Sequence, residues 1–139
     1  SAQKRESTTV SLILLDLDHF KKINDNHSHS VGDQVLIDLV QLMNKHTRAL
    51  DTIFRYGGEE FIIAPLALDL SSATQMAEKL RVLIEEYRFV NNIQATVSIG
   101  VAQYRTEESA EAWISRADAA LYKAKNSGRN QVINESDNT

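Results

Sequence analysis

Residues 52–66, TIFRYGGEEFIIAPL, read as two short strands, Thr52 to Tyr56 and Phe61 to Leu66, folded back on each other through Gly57 and Gly58. The second strand is apolar enough to enter a core, and Pro65 sits near its end, where a missing ladder donor is tolerated. Glu59 and Glu60 stand at the mouth of this hairpin, although a turn needs only one polar residue to face water. Upstream, VSLILLDLD at 10–18 is a continuous apolar run until Asp16, the pattern of a strand buried on both faces. HFKKINDNHSHSVGD (19–33) follows as a polar stretch with several turn formers. From Val31 the spacing becomes helical: Val35, Leu36, Leu39, Val40 and Met43 form one apolar face of a helix lasting to about Leu50.

Downstream of the hairpin, Asp69, Ser71 and Ser72 are cap candidates for a helix with Ala73, Met76, Ala77, Leu80, Leu83, Ile84 and Tyr87 at helical spacing. QATVSIGVAQ (94–103) alternates and is β-branched, so it reads as a strand. Ser109 to Lys125 is a further amphipathic helix with Trp113, Ala117, Leu121 and Ala124 on one face, and Gly128 is its expected C-cap. QVI (131–133) adds a short edge strand, and NESDNT (134–139) is a polar tail expected to fray. The order to residue 103 is βαββαβ, the split-βαβ or ferredoxin-like pattern of the α+β class. Its crossovers place helices on one face of a mainly antiparallel sheet, with one more helix and strand after it. In that arrangement the first strand and the hairpin are central neighbours, which puts Asp16–Asp18 beside Glu59–Glu60.

The chain's 139 residues are read as a single domain that buries a core without staples. A net charge of −4 argues against a general affinity for nucleic acid or an anionic membrane surface. Any phosphorylated ligand must then be held by local cations or bound metal. There is no cysteine, which excludes disulfides, thiolate metal sites and cysteine nucleophiles and is compatible with a cytoplasmic location. No apolar run approaches the ~20 residues needed to span a bilayer.

Four carboxylates, Asp16, Asp18, Glu59 and Glu60, are thus expected to converge at the rim of a buried sheet. Repulsion and desolvation would oppose that arrangement, and a divalent cation with hard oxygen ligands relieves it. For any single acid, a strand end or a solvated turn is the simpler reading; for two converging pairs, a site is. Lys21, Lys22, Asn24, His27, His29 and Asp33 form a second group; Asp and Asn can read a guanine edge, and Lys21 is near enough in sequence to neutralise phosphate. Alone, that group reads equally as a polar loop with Asp33 near a helix start. Lys125 and Arg129 in KNSGRN suit either a helix C-terminus or a triphosphate clamp, and Arg48 and Asp51 suit a surface ion pair.

Together, DLDHFKKINDNHSHSVGD, RYGGEEF, TVSIGVA and RADAALYKAKNSGRN resemble the GGDEF domain of diguanylate cyclases in its GGEEF form, from about residue 10 to residue 133. The resemblance implies a nucleotide-cyclase palm and the condensation of two GTP to cyclic di-GMP with release of two pyrophosphates. The site would form between two such domains, a homodimer, each carrying one GTP. It implies Mg²⁺ (or Mn²⁺), two per site, on Asp16, the Leu17 carbonyl, Glu59 and Glu60, with Glu59 as the base for the 3′-hydroxyl. It implies Asn24 and Asp33 as guanine readers with His29 nearby, and Lys21 at the reacting phosphate. Lys125 and Arg129 would hold the terminal phosphates, and Gly57 and Gly58 would let the backbone approach them. Arg48-Ala49-Leu50-Asp51 matches the RxxD product-inhibition motif, which turns the reading of Arg48 and Asp51 toward a cyclic di-GMP feedback site.

Such domains are cytoplasmic outputs of larger, sometimes membrane-anchored, sensors, with no membrane contact of their own. Two departures are expected to matter: Ser28 replaces the family's usual glycine before His29, and the family's opening DxLTGLxNR-type segment is missing ahead of the first strand. They support an alternative, a catalytically impaired module that binds GTP or cyclic di-GMP. A different nucleotidyl-transferring palm enzyme is the third reading.

Overall fold

The computed structural model describes residues 9–47 and 52–138. Its centre is β1 (Ser11–Leu17), every residue of which is buried, as the uninterrupted apolar run requires. β3 (Glu60–Leu66) pairs antiparallel with one edge of β1 and β4 (Val97–Gln103) antiparallel with the other. β2 (Ile53–Arg55) lies outside β3 as the other arm of the hairpin, and β5 (Val132–Asn134) adds in parallel outside β4. The five strands are ordered β2-β3-β1-β4-β5, a mixed sheet that is antiparallel except at one edge.

Period-two alternation divides β1 between two cores. Ile13, Leu15 and Leu17 join Phe61, Ile63 and Ile99 beneath helices α2 (His29–His46) and α3 (Leu70–Glu86), which contribute Val35, Leu39, Met43, Ala77, Leu80 and Ile84. Leu12 and Leu14, with Ile62, Ala64 and Ala102, pack on the opposite face against Ala117 and Leu121 of α4 (Ala110–Asn126). α4 comes close because Gly100 has no side chain: a Cβ there would stand 2.1 Å from the Ala117 carbonyl oxygen and 2.5 Å from the Leu121 nitrogen. Trp113 covers the end of this smaller core and donates its indole N–H to the Ala102 carbonyl at 2.9 Å, a packing role as its stripe suggested.

Asp69 caps α3 by accepting from the Ser72 N–H at 2.8 Å, and Ser109 caps α4 by accepting from the Ala112 N–H at 3.0 Å. Gly128, at φ +116°, follows the end of α4 in the backbone region that favours glycine. Three expectations are corrected. The polar stretch after β1 is helical: α1 (Phe20–Asn26) occupies it, and α2 starts at His29 rather than Val31. α1 buries only Ile23, so its seven residues carry too little apolar signal to show a helical face. The polar tail is also anchored, because the Glu135 carboxylate accepts from the Gln103 N–H at 2.6 Å and pairs with Arg105 and Arg116. α2 also stops at His46, with Thr47 already in extended backbone, short of the end expected near Leu50; the RxxD residues Arg48 and Asp51 lie outside the described residues. No helix among the described residues is long and apolar enough to cross a membrane.

Candidate active site

The sheet register brings the acidic residues together. Asp16 is the cross-strand partner of Glu60 on β3 and of Ser98 on β4, and the Leu17 N–H donates to the Glu59 carbonyl at 3.2 Å. Asp16 continues the Leu12–Leu14 alternation, so it faces α4, and Lys125 lies one helical turn beyond Leu121 on that helix. The Lys125 ammonium pairs with the Asp16 carboxylate and stands 4.0 Å from Glu60. Asp16 Oδ2 is thereby matched, but Asp16 Oδ1 is buried with no hydrogen-bond partner, which is costly for a carboxylate oxygen.

Burial raises Asp16 above the ordinary carboxylate range, and the Lys125 ammonium only partly offsets it. Burial, then the charge of Asp16, also raises Glu59 and Glu60. On Lys125, burial alone would lower the pKa, but Asp16 and Glu60 outweigh it and the net direction is up. Three acids that resist ionisation thus share the Lys125 ammonium, with weaker help from Arg129 at Asp16 and Arg55 at Glu59. Their donors are hard carboxylate oxygens of the kind that Mg²⁺ accepts. Among the described residues, however, no three acidic or histidine side chains gather closely enough to complete a metal site.

Asp18 lies near enough for its charge to help raise Asp16, but its own oxygens are engaged elsewhere, so it has no free oxygen to offer a shared ligand. Its side chain is 1% exposed and saturated: it accepts from Thr96 Oγ1 at 2.7 Å, Ser98 Oγ at 2.7 Å and the Asn130 N–H at 3.0 Å. For Asp18, the plain reading of an acid that ends a strand was right. Arg129 Nη1 lies 3.9 Å from it, so both cations of KNSGRN reach the acidic rim.

The hairpin tip is held from inside. The Tyr56 N–H donates to the Glu60 carbonyl at 2.7 Å, and Arg55 Nε donates to the Gly57 and Gly58 carbonyls at 3.3 and 3.1 Å. Neither glycine has a positive φ, and a Cβ at Gly58 would meet nothing within 4 Å. The fold therefore does not require glycine at 58.

Across the sheet end, Asn24 of α1 packs against α2 where a Gly32 Cβ would come within 1.8 Å of its Oδ1, an atom that is buried and unpartnered. Asp33, the other expected guanine reader, follows Gly32 directly on α2. Asp33 is exposed and borders a cavity of about 650 Å³ lined also by Leu36, Ile37, Val40, Ile53, Arg55 and Phe61. Lys21 is exposed and pairs with Asp25 at 3.1 Å, and His29 is exposed at the start of α2. Neither pairs with the acidic cluster. Ser28, the departure from glycine, adopts extended backbone at φ 164° and accepts from the Val31 N–H at 3.1 Å, so it caps α2 without strain.

A protein-family model described as "Diguanylate cyclase, GGDEF domain" matches residues 1–131. The chain belongs to the GGDEF family of diguanylate cyclases. It is 42% identical over 136 residues to diguanylate cyclase A of Treponema denticola, covering 95% of this chain and 36% of that protein. It is 43% identical over 123 residues to diguanylate cyclase DgcM of Escherichia coli K12, covering 88% of this chain and 30% of that protein. The chain thus spans about a third of the length of these curated relatives (36% and 30%). The active GGEEF domain of a diguanylate cyclase from Vibrio cholerae superposes with a TM-score of 0.88 at 34% identity, over 94% of this chain and 85% of that one. The GGDEF domain of DgcB from Caulobacter crescentus, in complex with c-di-GMP, gives 0.86 at 36% identity, over 94% and 80%. These GGDEF neighbours bear out the α+β palm expected from the element order.

Thr96, Ser98, Arg55 and Asn130 were missed in the sequence. A signal existed for one of them: Ser98 is a hydroxyl within an otherwise apolar strand, VSIGVA, and it is fully buried.

Proposed function

We propose that this chain is the catalytic domain of a diguanylate cyclase that condenses two GTP into cyclic di-GMP. In each of two steps, the 3′-oxygen of one GTP attacks the α-phosphorus of the other. A phosphodiester bond forms, the bond to pyrophosphate breaks, and the 3′-hydroxyl proton passes to a base. The observation that carries this reading is the GGEEF hairpin tip set in register against Asp16, with Lys125 shared between them.

Glu59 is the base, and its raised pKa suits it to hold that proton. Asp16, the Leu17 carbonyl, Glu59 and Glu60 would hold Mg²⁺ or Mn²⁺, two per site; the orphaned Asp16 Oδ1 supports a cation there. Bound metal would screen the triphosphate and ease formation of the alkoxide. Lys125 and Arg129 take the terminal phosphates and Lys21 the reacting one, so that charge is met by fixed cations. The open space at Gly58 lets backbone approach phosphate. Asp33 accepts from the guanine N1–H and N2–H₂ at the mouth of the Leu36–Phe61 cavity, with Asn24 pairing the remaining edge and His29 beside them. The second GTP comes on a second copy of the domain, in the cytoplasm. Arg48 and Asp51 bind the product as a brake.

The test is production of cyclic di-GMP from GTP and Mg²⁺ across a range of protein concentrations. The rate should rise faster than linearly, and Asp16→Asn and Glu59→Gln should abolish product. Full turnover by either variant would overturn the assignment.

The pairing of Lys125 with Asp16 favours a second reading, because it closes the place a cation would take. On that reading the chain binds GTP or cyclic di-GMP without turnover, and calorimetry with each nucleotide beside the product assay separates the two.

A further inference from the structure

Arg129, to which the proposed function gives the terminal phosphates, sits on an unusual backbone. Gly128, Arg129 and Asn130 are consecutive residues with φ of +116°, 64° and 48°. Left-handed backbone is disfavoured for residues with side chains and persists where the surroundings over-determine it. Two groups of contacts do so here.

From the α4 side, the Arg129 N–H donates to the Ala124 carbonyl at 3.0 Å, and the Gln131 carboxamide donates to the Ser127 and Arg129 carbonyls at 2.9 and 3.0 Å. From the other side, Asn130 is a junction with every polar group of its side chain occupied. Its Oδ1 accepts from Arg81 Nη1 at 2.9 Å, its Nδ2 donates to Glu85 Oε2 at 2.8 Å, and its N–H donates to Asp18 at 3.0 Å. Arg81 is locked in turn, donating to Glu78 at 2.8 and 2.6 Å and to Glu85 at 3.2 Å, with its side chain only 16% exposed. Asp18 is fixed to β4 through Thr96 and Ser98.

We propose that Arg81 and Glu85 of α3 are positioning residues for the phosphate-binding cations: by gripping Asn130 they hold the 128–130 turn and so aim Arg129 at the rim where Lys125 meets Asp16. Neither touches the acidic cluster, and a helix on the opposite face of the sheet from α4 thereby sets the geometry of α4's end. The inference rests on the proposed reading of Arg129 as a phosphate ligand. It adds that the ligand's strength is determined some 45 residues away along the chain, by groups with no part in base recognition.

The test uses two nucleotides. 3′-Deoxy-GTP lacks the attacking hydroxyl and carries the terminal phosphates, whereas GMP carries the base without them. Titration calorimetry with Mg²⁺ should show Arg81→Ala and Glu85→Ala binding 3′-deoxy-GTP about tenfold more weakly, the loss of one well-placed charged contact. GMP affinity should stay within about twofold of the parent chain. Glu85→Gln retains an oxygen that can accept from Asn130 and should restore most of the 3′-deoxy-GTP affinity lost in Glu85→Ala, while retained GMP binding shows that Arg81→Ala has folded. Variants that bind 3′-deoxy-GTP as tightly as the parent, or that lose both nucleotides equally, would sink the inference alone. A parent chain that binds neither nucleotide would sink the proposed function, and this inference with it.

Discussion

Gly100→Ala isolates the contact that places α4 against the sheet. The added Cβ would fall 2.1 Å from the Ala117 carbonyl oxygen and 2.5 Å from the Leu121 nitrogen, and both are backbone atoms that cannot rotate away. Restoring an ordinary contact needs α4 to lift by roughly 1 Å, which opens the small core of Leu12, Leu14, Ile62 and Ala102 beneath it. Overpacking of this kind costs about 1–3 kcal/mol, and rigid partners favour the upper part of that range. For a domain of this size that is a fall in Tm of roughly 4–12 °C, read by circular dichroism. The same lift draws Lys125 away from Asp16, so nucleotide affinity should fall as well. Gly58→Ala is the control, because its Cβ meets nothing within 4 Å: Tm should hold within about 1 °C while turnover falls. An unchanged Tm for Gly100→Ala, or a fall as large for Gly58→Ala, would refute the packing argument.

The acidic rim supplies a pH prediction. Asp16, Glu59 and Glu60 are raised in the fold, so the folded state binds protons more tightly than the unfolded chain. Their contribution favours the metal-free fold at low pH and is lost as pH rises through their folded values. Relative to a Glu59→Gln/Glu60→Gln variant, the chelator-treated parent should therefore gain stability from neutral pH down toward the ordinary carboxylate range near ~4, as followed by urea unfolding. At neutral pH, Glu60→Gln should stabilise the metal-free protein by about 0.5–1 kcal/mol through relief of the cost of burying its charge and of its repulsion with Asp16, while turnover is lost. Lys125→Met should push the Asp16 carboxyl further up, visible in the pH titration of its carboxyl carbon by NMR; an unmoved Asp16 would show that the ammonium does not neutralise it. Ser28→Gly should lower stability by only a few tenths of a kcal/mol and leave GTP affinity unchanged, since the serine acts as a cap.

Much of this protein could be read along the chain because its signals are local. The double-buried run of β1, the hairpin through Gly57 and Gly58, and the stripes of α2, α3 and α4 are periodicities of two or 3.6 residues that any short window contains. Element order then made β1 and β3 neighbours, so the meeting of Asp16 with Glu60 was legible before any coordinate. α1 was not, because a single buried Ile23 leaves no stripe to recognise. The fates of the two aspartates of DLD were not legible either. Both look alike in sequence, yet Asp16 faces α4 and is left with one bare oxygen, while Asp18 is consumed by Thr96, Ser98 and Asn130.

Those partners lie 78, 80 and 112 residues further along the chain. No local pattern encodes such separations; they exist only once β4 is registered against β1 and the turn after α4 closes over the strand end. By itself, then, the sequence determined the family, the sheet and which acids crowd its rim. Tertiary structure decided which of those acids stays short of a partner, because hydrogen bonds and burial are settled by whatever the fold brings within 3 Å.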